Sequence, residues 1–144
     1  MLLIASTTMT ALGQAETPAD ALAKVRKAHA KAEAGYTATL KSEPNNANLY
    51  QQRGVVRFFQ LKFTESLADF DKFIEMTPSR EPYHWQRGLV HYYAGKYKDG
   101  RKQFESHQTV NTQDVENAVW HYLCVSKIDG VKAAEKLFIK ITSD

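Results

Sequence analysis

At 144 residues the chain has the length of one domain and enough material to bury a core. Its 43% hydrophobic and 24% charged residues are ordinary for a globular protein. A net charge of +3, with Lys and Arg scattered among Asp and Glu, excludes a dedicated nucleic-acid surface. One cysteine, Cys124, excludes an intramolecular disulfide and a CxxC metal half-site.

In chain order, residues 1–15 carry no charge, and their apolar run to Leu12 is too short to cross a bilayer. Gly13-Gln14-Ala15 then places small residues where a signal peptidase reads. The segment therefore reads as a secretory signal peptide, although no Lys or Arg precedes it. On that reading the mature chain is exported, to the periplasm or beyond; otherwise it is cytoplasmic. No cysteine follows the run, which argues against a lipid anchor. No later stretch is apolar for 18 residues, so no membrane span is expected in the mature chain.

Thr17-Pro18-Ala19-Asp20 is a helix start: a capping hydroxyl, Pro at the first position, and a carboxylate at the positive end. Residues 16–43 are predicted to form one amphipathic helix, with a break near Gly35, acting as a cap or half-repeat.

Beyond it the chain repeats itself. Residues 49–78 and 82–112 share a skeleton displaced by 34: Gln52/Gln86, Arg53/Arg87, Gly54/Gly88, Lys62/Lys96 and Phe70/Phe104. Another step takes Phe104 to Phe138 and Gly100 to Ala134; a backward step takes Phe70 to Tyr36 and Pro78 to Pro44. Within a unit, Tyr50, Gly54, Val55 and Phe58 recur at helical spacing. A turn follows near Leu61-Lys62, then a second stripe through Phe63, Leu67, Phe70, Phe73 and Ile74, and Pro78 as a stop. Glycine within a helix costs up to about 1 kcal/mol against alanine, so keeping it at 54 and 88 implies close helix packing. The prediction is an all-α fold of seven helices. They are the N-terminal one and three pairs near 47–60 and 63–76, 81–94 and 97–109, 114–127 and 131–141.

This pattern resembles the tetratricopeptide repeat. Its aromatic-small-small-aromatic-Pro signature falls on Tyr50, Gly54, Ser66, Phe70 and Pro78, then His84, Gly88, Gly100, Phe104 and Thr112, then Ala118, Tyr122, Ala134 and Phe138. The resemblance implies a helix-turn-helix solenoid of three units (47–80, 81–113, 114–144) within residues 44–144. In it Gly54, Ser66, Phe70, Pro78, Gly88, Gly100, Phe104, Ala134 and Phe138 pack the repeats.

No Gly-rich phosphate loop, HExxH or GxSxG is present. Of His29, His84, His91, His107 and His121, the set His84, His91 and His121 has the number for a zinc site, but His121 aligns with Arg87 and Arg53, a register position that reads as a polar contact between helices; no metal site and no cofactor is expected. Arg53 and Arg87 either pair with Asp69, Asp71 or Glu105 on neighbouring helices or lie exposed on packed stems.

The resemblance also implies a concave groove, lined through the first helix of each pair. It assigns Asn48, Gln51, Val55, Phe58 and Phe59 from the first unit, and Pro82, Trp85, Leu89, Tyr92 and Tyr93 from the second. Glu116, Val119, Leu123, Ser126 and Lys127 follow from the third. The Lys and Asn of the family's carboxylate-clamp type are absent from the matching positions. An apolar or aromatic-rich peptide or helix of another protein is the expected partner, and a non-enzymatic adaptor, as a cell-envelope scaffold, is the expected role. Two rivals stand beside it: self-association through apolar surface near Ile139 and Ile141, and, more weakly, an enzyme that uses the histidines; for the groove aromatics the alternative is burial beneath the N-terminal helix.

Overall fold

A computed structural model describes residues 16–142, and the segment read as a signal peptide lies outside them. The fold is an all-helical, tetratricopeptide-like solenoid. Its α-helices are α1 (Pro18–Ser42), α2 (Ala47–Phe59), α3 (Phe63–Met76), α4 (Trp85–Tyr93), α5 (Tyr97–Gln108), α6 (Val115–Asp129) and α7 (Val131–Lys136). A 3-10 turn, Pro78–Tyr83, precedes α4.

Each helix begins and ends for a local reason. Thr17 Oγ1 accepts the Asp20 N–H, and the Asp20 carboxylate accepts the Thr17 N–H, which closes a capping box on α1. The expected break at Gly35 is absent: α1 runs through it for 25 residues. Packing overrides propensity here, because the following turns bring Thr37 and Leu40 onto α2. α4 starts at Trp85, later than expected, because Pro82 holds the preceding residues in the tighter turn. α7 stops at Lys136, so Phe138 lies past its end, 44% exposed with its ring edge on Tyr122.

The α2–α3 and α4–α5 turns are the same object 34 residues apart. Lys62 N–H reaches Arg57 O at 2.9 Å, and Lys96 N–H reaches His91 O at 2.8 Å, each crossing a residue at positive φ. That residue is Gly95 (φ 73°) in one turn and Leu61 (φ 62°) in the other. A left-handed leucine costs roughly 1–2 kcal/mol, and Leu61, 73% exposed, packs little in return. Leu61→Gly is therefore expected to stabilise the fold by up to about 1 kcal/mol, after the entropy glycine adds to the unfolded chain. A denaturant midpoint that drops in this variant contradicts the strain.

Small residues set the helix spacing. A Cβ on Gly54 would lie 2.5 Å from the Phe70 ring, and one on Gly88 would lie 2.7 Å from Phe104. At Gly100 a Cβ would sit 3.0 Å from Cys124 Sγ and 3.3 Å from Gly88 O. Ser66 Oγ donates to Gly54 O at 2.7 Å, which ties α3 to α2 at their closest approach. Leu67, Phe70 and Val90 form a buried cluster, with Val55, Phe58, Phe63 and Ala94 against it. Cys124 is fully buried, and burial pushes its thiol up to about 12.

The stacking of units uses one recurring polar contact between residues 16 apart. Arg53 donates to Thr37 (3.2 Å), Arg87 to Asp71 (2.7 Å), and His121 Nε2 meets Glu105 (3.4 Å). Each pair is displaced from the last by 34, so α1 stands to α2 as α3 stands to α4. Arg53 also grips Asp69 through two hydrogen bonds, of 2.9 and 2.7 Å, and Arg57 adds a third at 2.8 Å. Arg57, Gln60 and Lys62 converge on Glu33 of α1. Burial works to raise that carboxyl, but the hydrogen bonds outweigh it and hold it down to about 2.

Candidate functional site

The helix period places α2, α4 and α6 as the first helices of successive pairs, and their aromatic residues meet along one surface. Phe58 touches Phe59 (5.6 Å between ring centroids), Phe63 (6.0 Å) and Tyr93 (5.7 Å). Tyr93 stacks on Phe63 at 5.8 Å and reaches Trp120 at 5.8 Å; Tyr92 meets Trp120 edge-on at 5.3 Å and Tyr97 at 5.4 Å. Such pairs each add about 0.5–1.5 kcal/mol beyond area burial, so the rings brace one another.

The residues assigned to a groove divide three ways. Val55 and Phe58 spend their surface on the core cluster. Gln51 is tied inward: its Nε2 donates to Gln86 at 3.1 Å and its Oε1 meets His84 Nε2. Phe59, Trp85 and Tyr93 remain open, at 60%, 39% and 51% exposure, with Leu89, Tyr92 and Leu123 half-buried between them. Phe59 is stacked on one face by His29 of α1, at 5.3 Å. Lys127 lies apart, beside the α4–α5 turn, in a cleft of about 480 Å³ with Lys96, Tyr97, Lys98 and Ile128.

Trp120 is the functional candidate that the repeat register misses. Its equivalents are Gln52 and Gln86, positions outside the assigned groove set. The available signal was a bulky aromatic replacing glutamine at one register position. It joins Trp85 across a smaller cleft of about 170 Å³ between the first turns of α4 and α6.

The histidines are structural in placement. His84 Nδ1 accepts the Arg87 N–H at 3.2 Å and caps α4. His107 lies between Pro82 O (2.9 Å) and Asp114 (3.2 Å). Burial, with a smaller contribution from Arg87, lowers His84 and His91 to about 4. Among the described residues no group of three His, Cys, Asp or Glu is placed to hold a metal, and no helix is long and apolar enough to cross a membrane.

Fold and surface together define a tetratricopeptide-like helical solenoid with a run of contacting aromatic rings along its α2, α4 and α6 helices. No protein-family model matches the chain. It is similar to the Protein SGT1 homolog of Bos taurus, at 23% identity over 94 residues, covering 65% of this chain and 28% of that protein. It is also similar to the Lipoprotein NlpI homolog of Haemophilus influenzae, at 25% identity over 101 residues, covering 70% of this chain and 32% of that protein. Both relatives contain tetratricopeptide repeats, and the matched segment spans less than a third of either.

Proposed function

We propose that the chain is a non-enzymatic adaptor whose aromatic concave face binds a peptide or helix of another protein. The observation that carries this reading is the exposure of Phe59, Trp85 and Tyr93 on a ridge whose backing rings are already locked. Large, stiff side chains lose little entropy on binding and dominate interface energies. Contacts of α1 run to α2, through Arg53, Arg57 and Phe59, and leave Trp85 and Tyr93 uncovered. The tetratricopeptide relatives are consistent with a protein partner. Export and a cell-envelope scaffold role rest on residues 1–15 and on a relative named as a lipoprotein.

The test is affinity capture with wild type beside a Trp85→Ala/Tyr92→Ala variant of unchanged helicity. A partner held by the wild type and lost by the variant is the expected result, at a cost of about 2 kcal/mol or more. Equal retention by both baits sinks the groove reading. A second reading, self-association, is favoured by Val131, Leu137 and Phe138, all exposed at the C-terminal end. Sedimentation that rises with concentration in both baits distinguishes it.

A further inference from the structure

α2 covers only part of α1. The two helices meet at His29, whose ring stacks on Phe59, and at Glu33 and Thr37, which bond to Arg57 and Arg53. Residues 18–28 of α1 are all exposed, an overhang of about 16 Å. The face that α2 covers continues along it. Leu22, Val25 and His29 stand three and four residues apart on one stripe, and Leu22 and Val25 are half exposed. Opposite them the chain leaving α2 presents Phe59 and Leu61, and these walls enclose a groove of about 680 Å³. Single exposed apolar residues are ordinary, but four large ones around one groove mark a contact surface.

Leu61 is an independent sign of use. The matching residue one repeat later is Gly95, which adopts the same left-handed backbone without strain. A leucine in that conformation is strained, and the fold gains little from a side chain left so open to solvent. Strain held without internal return points to a molecule that enters the groove.

Charge selects among occupants. No carboxylate lines the groove among the described residues, and its charged walls are Arg26 and Lys62. Glu33 holds Lys62 at 2.6 Å, whereas Arg26 is exposed and has no ion-pair or hydrogen-bond partner among the described residues. A second copy docked through the same surface would set these cations against their own kind. A bilayer fits poorly, because Lys24, Lys27 and Lys31 form a separate stripe on the far side of α1, away from any surface that Leu22 and Val25 enter.

We infer that the overhang and the α2–α3 turn seat an acidic amphipathic helix of another protein, laid along α1 where α2 leaves off. Its apolar stripe covers Leu22, Val25, Phe59 and Leu61, and a carboxylate beside that stripe meets the Arg26 guanidinium. The surface is separate from the one that Trp85 and Tyr92 line, with Phe59 at the border of both.

The probe is a fluorescein-labelled amphipathic peptide of about five helical turns, a leucine stripe flanked by glutamates, titrated against the full chain by anisotropy. A twin peptide carries lysine in place of every glutamate. Saturable binding of the acidic peptide is expected, at least about tenfold tighter than that of its twin. Leu61→Gly and Arg26→Gln each weaken it about tenfold. The denaturant midpoint of Leu61→Gly holds or rises, which separates lost docking from lost fold. No saturable binding to the full chain, the result also expected if residues 1–15 fill the groove, overturns the inference. Equal binding of the two peptides, or unchanged affinity in either variant, overturns it as well. Sedimentation that rises with concentration in wild type but not in Leu61→Gly assigns the groove to a second copy instead. Cosedimentation with phosphatidylglycerol vesicles that Leu61→Gly abolishes assigns it to a membrane, and either result overturns the helix. Trp85→Ala/Tyr92→Ala is expected to keep the peptide. If that variant loses it while Leu61→Gly holds it, the peptide sits on the aromatic ridge: this inference fails and the groove reading stands.

Discussion

Stability will fall by several kcal/mol as the pH drops from about 6.5 to about 4, and His84 and His91 will account for most of the fall. Burial holds both rings neutral in the fold, lowered from 6.5 to about 4. The unfolded chain binds protons at these positions first, so stability is complete above pH 6.5 and is lost progressively down to about 4. Each pKa unit is worth about 1.36 kcal/mol, so each ring contributes on the order of 3 kcal/mol at neutral pH.

Geometry gives a reason for each shift. His84 uses Nδ1 to accept the Arg87 N–H and presents Nε2 to Gln51 Oε1, so a proton on Nδ1 removes the cap of α4. Both ring nitrogens of His91 are buried without partners, so a charge there has nothing to compensate it. Arg87 opposes the charge on both rings, Arg80 opposes it on His84 and Lys96 on His91; Asp71 favours it on both and Asp99 on His91, without reversing the outcome. Thermal melts at closely spaced pH values will show the loss, and His91→Leu will remove about half of its slope. A melting temperature that stays flat between pH 6.5 and 4 rules the effect out. Glu33 acts in a separate window: its folded pKa is depressed to about 2, so its contribution is lost as pH falls from 4.5 toward 2.

The second large effect is expected from Asp69→Ala, a loss of about 3 kcal/mol and roughly 10 °C in melting temperature. Asp69 is buried and receives three hydrogen bonds from Arg53 and Arg57, whose side chains are themselves largely buried. Removing the carboxylate leaves two guanidiniums close together, with Thr37, Glu33 and the Glu65 carbonyl as their remaining hydrogen-bond partners. The corresponding pair one repeat later is different in kind. Gln103 stands where Asp69 stands, and Arg87 donates to it at 3.0 Å while taking its charge partner, Asp71, at the surface. Asp71→Ala is accordingly worth under about 1 kcal/mol, and comparing the two variants in one denaturant series checks burial as the cause. In a double-mutant cycle, Arg53→Met should return part of the loss caused by Asp69→Ala. Near-equal costs for the two aspartates would contradict the assignment.

These contacts also show where the sequence was legible. The helix pairs and the small residues at 54, 66, 88 and 100 follow from a period of 34 laid over a helical period. Both are properties of neighbours along one strand of chain, so they can be read without knowing the third dimension. Of the three carboxylates that the repeat offered to Arg53 and Arg87, Asp69 and Asp71 are the ones they hold, while Glu105 pairs with Arg101 and His121. Gly35 does not break α1, because the face that α1 packs against α2 offsets the cost of a glycine within the helix.

The proposed groove was legible only as a set of positions. Val55, Phe58 and Gln51 share a helix face with Phe59 in the register, yet the first three are spent on the core or on Gln86 and His84, while Phe59 stays open. The first-helix pattern and its repeat were determined by the sequence alone, because they depend on spacing within 34 residues. The tertiary structure alone decided which aromatics remain free and brought Trp120 to Trp85. Those outcomes depend on how far each helix is rotated against the next unit, which sums packing from both neighbours and is written in no single repeat.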